Sequence, residues 1–194
     1  MNAKEIEEES FKIIEEQMNC TSPEKAVIRR IIHATADFTY ADRTVFKNDA
    51  IRRGIDAIKS KNPIITDVSM VKAGISRYDG EVKCLINEKE VHKLAENSNG
   101  TRAASAFHVF KGDLENAIVA IGNAPSALFE LCALIDEGIR PSLIVAAPVG
   151  FVGAKESKEK SLTYDVPCIA VRGEKGGSSI AVAIINALIL LSEE

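Results

Sequence analysis

His33 is the side chain of this 194-residue chain best matched to proton transfer near neutral pH, and it stands in Arg30-Ile31-Ile32-His33-Ala34-Thr35-Ala36-Asp37. The apolar spacing before it puts the imidazole at the end of a helix. Asp37 follows one turn on, where a carboxylate can orient the ring or favour its charged form. The competing reading is a cap or a surface group, since histidine favours helix carboxyl ends in any case. Arg102, in Thr101-Arg102-Ala103-Ala104, begins a helix after the breaker Asn97-Ser98-Asn99-Gly100. A cation there opposes the helix dipole, so the position asks for an anionic partner, with a solvated surface arginine as the plain alternative. His92, flanked by Glu90 and Lys93, reads as solvated and His108 as partly buried; histidines this dispersed have no metal-ligand spacing.

Three strand-to-helix turns could present backbone N–H groups to an anion. The strand-forming run at 117–121 breaks into Gly122-Asn123-Ala124-Pro125. Gly122 permits a tight turn, Asn123 or a neighbour can cap the helix, and Pro125 suits its first turn, where a missing N–H costs nothing. The expected result is a row of donors at the carboxyl end of a strand, the default ligand position in an open α/β sheet. Pro148-Val149-Gly150-Phe151-Val152-Gly153-Ala154-Lys155 repeats the pattern, with Lys155 as an added cation, and residues 173–179 form a third such turn. None has the G-x-x-x-x-G-K-[ST] order or a G-x-G-x-x-G after the first strand, so neither an NTPase nor a dinucleotide enzyme is supported.

The elements that must hold these residues alternate. Strands are expected at 64–66, 82–86, 117–121, 143–146 and 168–171, and helices at 3–19, 23–33, 46–60, 88–96, 102–109, 124–137, 154–160 and 179–192, the second opened by Ser22-Pro23. This alternation predicts one α/β domain over residues 1–194, in three layers, with a mostly parallel central sheet of about five strands flanked by helices. With 46% apolar and 27% charged residues, no tryptophan and a net charge of −4, the composition is that of a globular protein and argues against non-specific nucleic-acid binding. The longest apolar stretch, residues 180–191, is interrupted by Asn186 and too short for a bilayer, and the acidic start has no secretory signal pattern, so a cytoplasmic protein is expected. Cys20, Cys84, Cys132 and Cys168 form no C-x-x-C pair and read as reduced core thiols.

Ser10-Phe11-Lys12-Ile13-Ile14, Ile32-His33-Ala34-Thr35-Ala36-Asp37-Phe38, Asp67-Val68-Ser69-Met70 with Gly74-Ile75, Thr101-Arg102, residues 121–128, residues 148–158, and Gly176-Gly177-Ser178 with Asn186-Ala187-Leu188 follow one another in a specific order. In that order the chain resembles the precorrin-8X methylmutase family of cobalamin biosynthesis over nearly its whole length. The resemblance implies an isomerase that moves a methyl group from C11 to C12 of a corrin precursor, giving a cobyrinate or hydrogenobyrinate skeleton. It places the family's proton-transferring histidine on His33 and its substrate-contacting serine on Ser10. It also implies a homodimer with sites near the interface, no resident metal or cofactor, and cobalt, where present, carried by the substrate. The His-Ala-Thr-Ala-Asp-Phe stretch is closer to the cobalt-first branch, so cobalt-precorrin-8 is the preferred substrate. Metal-free precorrin-8X, or a carrier that holds a corrinoid without converting it, are the alternatives. A polycarboxylate macrocycle suits Arg29 and Arg30, delivered with His33 by the last turns of the second helix, Arg102, Lys155 and the glycine turns, with Thr101, Asn123 and Gly153 among the contacts. Met70, Val149 and Phe151 are candidates for an apolar floor under the ring, with a core role the alternative for each.

Overall fold

Strands covered on both faces need uninterrupted apolar runs, and residues 118–121, 143–146 and 168–171 supply them, every one buried. The computed structural model describes residues 2–18, 22 and 24–194. In chain order these form α1 (Ala3–Gln17), α2 (Lys25–Thr35), α3 (Tyr40–Arg43), β1 (Thr44–Lys47), α4 (Ala50–Lys59), β2 (Ile64–Thr66), α5 (Ser69–Gly74), β3 (Val82–Cys84), α6 (Lys89–Ser98), α7 (Arg102–Val109), β4 (Ile118–Ile121), α8 (Pro125–Asp136), β5 (Leu143–Ala146), α9 (Ala154–Ser161), β6 (Cys168–Val171) and α10 (Ser178–Glu193). A short 3-10 turn at Lys111–Leu114 precedes β4.

The strands make one sheet in the order β1-β6-β5-β4-β2-β3. Ile118 stands opposite Leu143 and Ile64 in parallel register, whereas β1 runs antiparallel to β6 with Thr44 opposite Val171. Successive strand side chains point to opposite faces, and each face has its own core. On one face Ile31, Ile58, Ile184 and Leu188 from α2, α4 and α10 pack over Ile64, Ile118 and Leu143. On the other, Phe107, Leu128 and Leu131 from α7 and α8 pack over Ile65, Val119 and Ile144. Each such side chain, fully buried, contributes about 1.5–3 kcal/mol. The expected three-layer α/β architecture is therefore what the chain adopts.

The sheet has six strands, not five. The extra one, β1, takes the segment where a helix from Phe46 was expected. Asn48 and Asp49 then adopt left-handed backbone (φ 55° and 53°), and only after them does α4 begin at Ala50. The helix α5 was also not anticipated. Ser22 is described, but Pro23 and Cys20 lie outside the described residues. Cys84 is half-buried, while Cys132 and Cys168 are buried free thiols whose pKa values burial pushes up to about 11 and about 12. Among the described residues no helix is long and apolar enough to cross a membrane.

From β2 the chain adds β3 on one side, then returns to β4 and builds outward through β5 and β6 on the other. The carboxyl ends of β2 and β4 thus flank the topological switch point of the sheet. The start of α10 packs tightly there: a Cβ on Gly122 would lie 2.8 Å from Ser178 Cα and from Val71 Cγ2.

Candidate active site

The acidic helix α1 lies along α2. Ile14 and Met18 pack on Ile28 and Ile32, Glu15 pairs with Arg29, and Glu7 Oε1 lies 3.1 Å from Arg30 Nη2. This docking brings Ser10 Oγ to 2.8 Å from His33 Nδ1. The Phe11 ring meets the imidazole edge-on, with centroids 5.2 Å apart and planes at 73°, and the Arg29 guanidinium lies 4.2 Å from the Phe11 centroid on that ring's face. His33 is exposed, and its Nε2 makes no hydrogen bond among the described residues.

Two expectations change here. Arg29 and Arg30 hold α1 against α2 through the glutamates, so they are not free carboxylate anchors. Asp37 does not orient His33, because α2 ends at Ala36 in left-handed backbone (φ 53°), which turns the chain away from the helix axis. The Asp37 carboxylate instead bonds Lys175 Nζ and accepts from Thr39 N at 2.9 Å and Thr39 Oγ1 at 2.7 Å, and these partners hold its pKa down at about 2. Lys175 belongs to the loop after β6, so the end of the His33 helix is tied to the carboxyl rim of the sheet.

The Gly122 turn is also occupied from within. Asp67, 1% exposed at the end of β2, accepts from Gly122 N at 3.0 Å, Asn123 N at 2.8 Å and Ala124 N at 2.7 Å. Burial pushes its carboxyl above the usual range, and the three N–H donors pull the other way. The expected anion cradle at the switch point is therefore filled by the chain's own carboxylate, and Asn123 has only its exposed side chain to offer.

Around this plug the rim carries the remaining candidates. Thr101 caps α7 by accepting from Ala104 N at 3.2 Å, and its Oγ1 lies 2.7 Å from Ser126 Oγ in α8. Arg102 is exposed and makes no ion pair among the described residues. Gly153 precedes α9 at φ 76°, a conformation L side chains resist, and a Cβ there would sit 3.3 Å from the Phe129 ring. Met70 (72% exposed) projects from the first turn of α5, and Phe151 (94%), Val152 (89%) and the exposed Val149 from the loop after β5, so none of the floor candidates is core. His92 is half-buried, and His108 is exposed, contrary to expectation, with Nδ1 2.9 Å from Glu130 Oε1. A polar groove at the amino ends of β2, β4, β5 and β6 is a weaker candidate: Asn62 Nδ2 is spent on Asn116 O and Ser142 Oγ, and Arg140 Nη1 on Ile135 O.

The sequence model of the precorrin-8X methylmutase family matches residues 5–191. The chain belongs to the precorrin-8X methylmutase family. It is 50% identical over 167 residues to the cobalt-precorrin-8 methylmutase of Methanocaldococcus jannaschii, covering 86% of this chain and 79% of that protein. It is 44% identical to the cobalt-precorrin-8 methylmutase of Leptospira interrogans, covering 98% and 94% respectively. The solved structure of precorrin-8x methyl mutase from Thermus thermophilus superposes with a TM-score of 0.88 at 39% identity, over 97% of each chain. This methylmutase of cobalamin biosynthesis is thus an intramolecular transferase on an α/β sheet. Asp67 and Lys175 stand in segments the sequence singles out, but their roles in shaping the methylmutase's rim are not legible there. The one signal was an aspartate immediately after a short apolar strand.

Proposed function

We propose that this methylmutase acts on cobalt-precorrin-8, moving a methyl group from C11 to C12 to give cobyrinate, with His33 as proton donor and acceptor. The observation that carries this reading is the Ser10–His33 hydrogen bond on an open rim. With Nδ1–H donating to Ser10 Oγ, Nε2 gives a proton when the ring is an imidazolium and accepts one when the ring is neutral. One hydroxyl thus supports both halves of a proton exchange. Substrate and product are isomers, so each proton His33 gives to the macrocycle must be balanced by one the macrocycle releases. The shift breaks one carbon–carbon bond and forms another within the substrate, and the protein's task is to position it and move protons.

The rim chemistry supports a flat polycarboxylate. Arg102 and Lys155 are exposed and available to carboxylates, and no side chain caps the first N–H groups of α9. Thr101, Asn123 and Gly153 border them, and Met70, Val149, Phe151 and Val152 offer apolar area to the ring. Cobalt enters as part of the substrate, a choice supported by the names of the M. jannaschii and L. interrogans relatives. We assign the enzyme to the cytoplasm on its sequence pattern, and a homodimeric state on the family resemblance alone. The test is conversion of cobalt-precorrin-8 followed by absorbance, with His33→Ala as the diagnostic variant; a carrier would bind the corrinoid and convert none.

A further inference from the structure

Lys158 is fully buried, although its helix α9 also carries the exposed Lys155, Glu156 and Lys160. Burying a cation is costly, and a methionine would fill similar space without that cost, so the amine must satisfy something in particular. Its Nζ donates to Pro148 O at 2.9 Å and to Lys175 O at 2.7 Å. Those carbonyls belong to the two rim loops after β5 and β6. Gly150 N donates to Glu174 O at 3.1 Å and Gly177 N to Ala147 O at 2.8 Å, stitching the same loops together. They approach so closely that a Cβ on Gly176 would lie 2.4 Å from Ala147 O and 2.6 Å from Pro148 O. The Lys175 side chain continues the chain of contacts, through Asp37 and Thr39, to the end of the helix that carries His33.

We propose that Lys158 is a positioning residue for the methyl shift: its ammonium locks residues 148–153 against residues 173–177, so that Phe151 and Val152 meet the macrocycle at a fixed distance from His33. This rests on the rim being the substrate site. Burial pushes the Lys158 pKa down to about 8, but the neutral amine keeps two N–H donors, enough for both carbonyls. The lock therefore persists from pH 7 to 9.

Two variants test it, Lys158→Met and Gly176→Ala; the second wedges the loops apart with the lysine in place and reads the same contact if the first does not fold. Hydrogen exchange is measured on peptides covering 148–153 and 173–177, with 118–121 as the fold control, alongside KM and kcat for cobalt-precorrin-8. The expected result is exchange faster by about 10-fold or more in both loops, an unchanged control, and a KM raised on the order of 10-fold with a smaller change in kcat. Wild-type exchange in the loops of a folded Lys158→Met protein overturns the lock. Faster exchange with an unchanged KM overturns its part in the reaction. In that case His33→Ala separates the two readings: if it is inactive the rim site stands, and if it is active the site reading fails as well.

Discussion

The Asp67 carboxylate lies 2.7 Å from the amide of Ala124 and closes the crevice between the ends of β2 and β4 where an open α/β sheet ordinarily takes its ligand. The same side chain takes the Gly122 and Asn123 amides, so the positive end of α8 is neutralised before any substrate arrives. The proposed binding surface, made of the loop after β5, the start of α7 and the Ser10–His33 pair, lies outside this plug.

Asp67→Ala leaves these three donors without their acceptor, those of Gly122 and Ala124 buried. Each orphaned group costs about 1–3 kcal/mol. A chain of this size loses about 2–4 °C of Tm per kcal/mol, so the two buried donors alone should lower the Tm by roughly 4–24 °C. Formate should restore part of the loss by entering the vacated cradle. Thermal unfolding with and without formate checks this, and an unchanged Tm would mean the donors have other partners.

Ser10→Ala removes the one hydrogen bond on His33 Nδ1 and little apolar packing, since Ser10 is half-buried on a surface helix. Stability should stay within about 0.5 kcal/mol. Turnover should drop on the order of 10-fold or more, because the ring loses its fixed tautomer and orientation. The pH–rate profile should change shape as well. A normal profile and rate in Ser10→Ala would show that the hydroxyl does not tune the imidazole.

Asp37 supplies a pH prediction. Its pKa is lowered to about 2 in the folded chain by Lys175 and Thr39, below the 3.8 of a free carboxyl. The unfolded chain therefore takes up the proton first as pH falls. The stabilisation is complete above about pH 4 and is lost toward pH 2. Urea unfolding of wild type and Asp37→Asn should differ at pH 5 and converge as pH drops; a gap that stays constant would dissociate Asp37 from the effect.

Arg102 is exposed, lacks an ion pair among the described residues and sits unfavourably in the first turn of α7. Arg102→Gln should leave the Tm unchanged or slightly higher. If the arginine holds a substrate carboxylate, KM should rise about 10-fold, in line with a lost charge-assisted hydrogen bond, with kcat less affected. Steady-state kinetics at two salt concentrations would show whether that gap narrows as salt screens the charge.

The parallel strands were legible because burial on both faces demands continuous apolar runs, and residues 118–121 and 143–146 have no other reading. β1 was not, since Thr44-Val45-Phe46-Lys47 is a short edge strand whose partner, β6, lies far along the chain; the left-handed Asn48-Asp49 pair was the only local warning. The turn at Gly122 was recognisable from its glycine and proline, but a sequence cannot say that its amides are already taken, because Asp67 is brought there by sheet order alone. Ser10 and His33 are 23 residues apart, and their contact depends on how α1 docks on α2. The glutamates of α1 and the arginines of α2 held that information as complementary charge. Arg29 and Arg30 were instead read as ligands for a substrate, since nothing in their spacing distinguishes an internal partner from an external one.

Nε2 of the exposed His33 is the atom on which the proposed chemistry turns. Wild type and His33→Ala should be compared for binding of the corrin precursor by absorbance titration and for conversion of cobalt-precorrin-8 to the product spectrum under single-turnover conditions. Binding should agree within a few-fold, while conversion falls by about 10²–10⁴-fold, the usual contribution of a positioned acid–base group. A His33→Ala protein that converts the substrate at the wild-type rate would contradict the assignment of the proton transfer to His33.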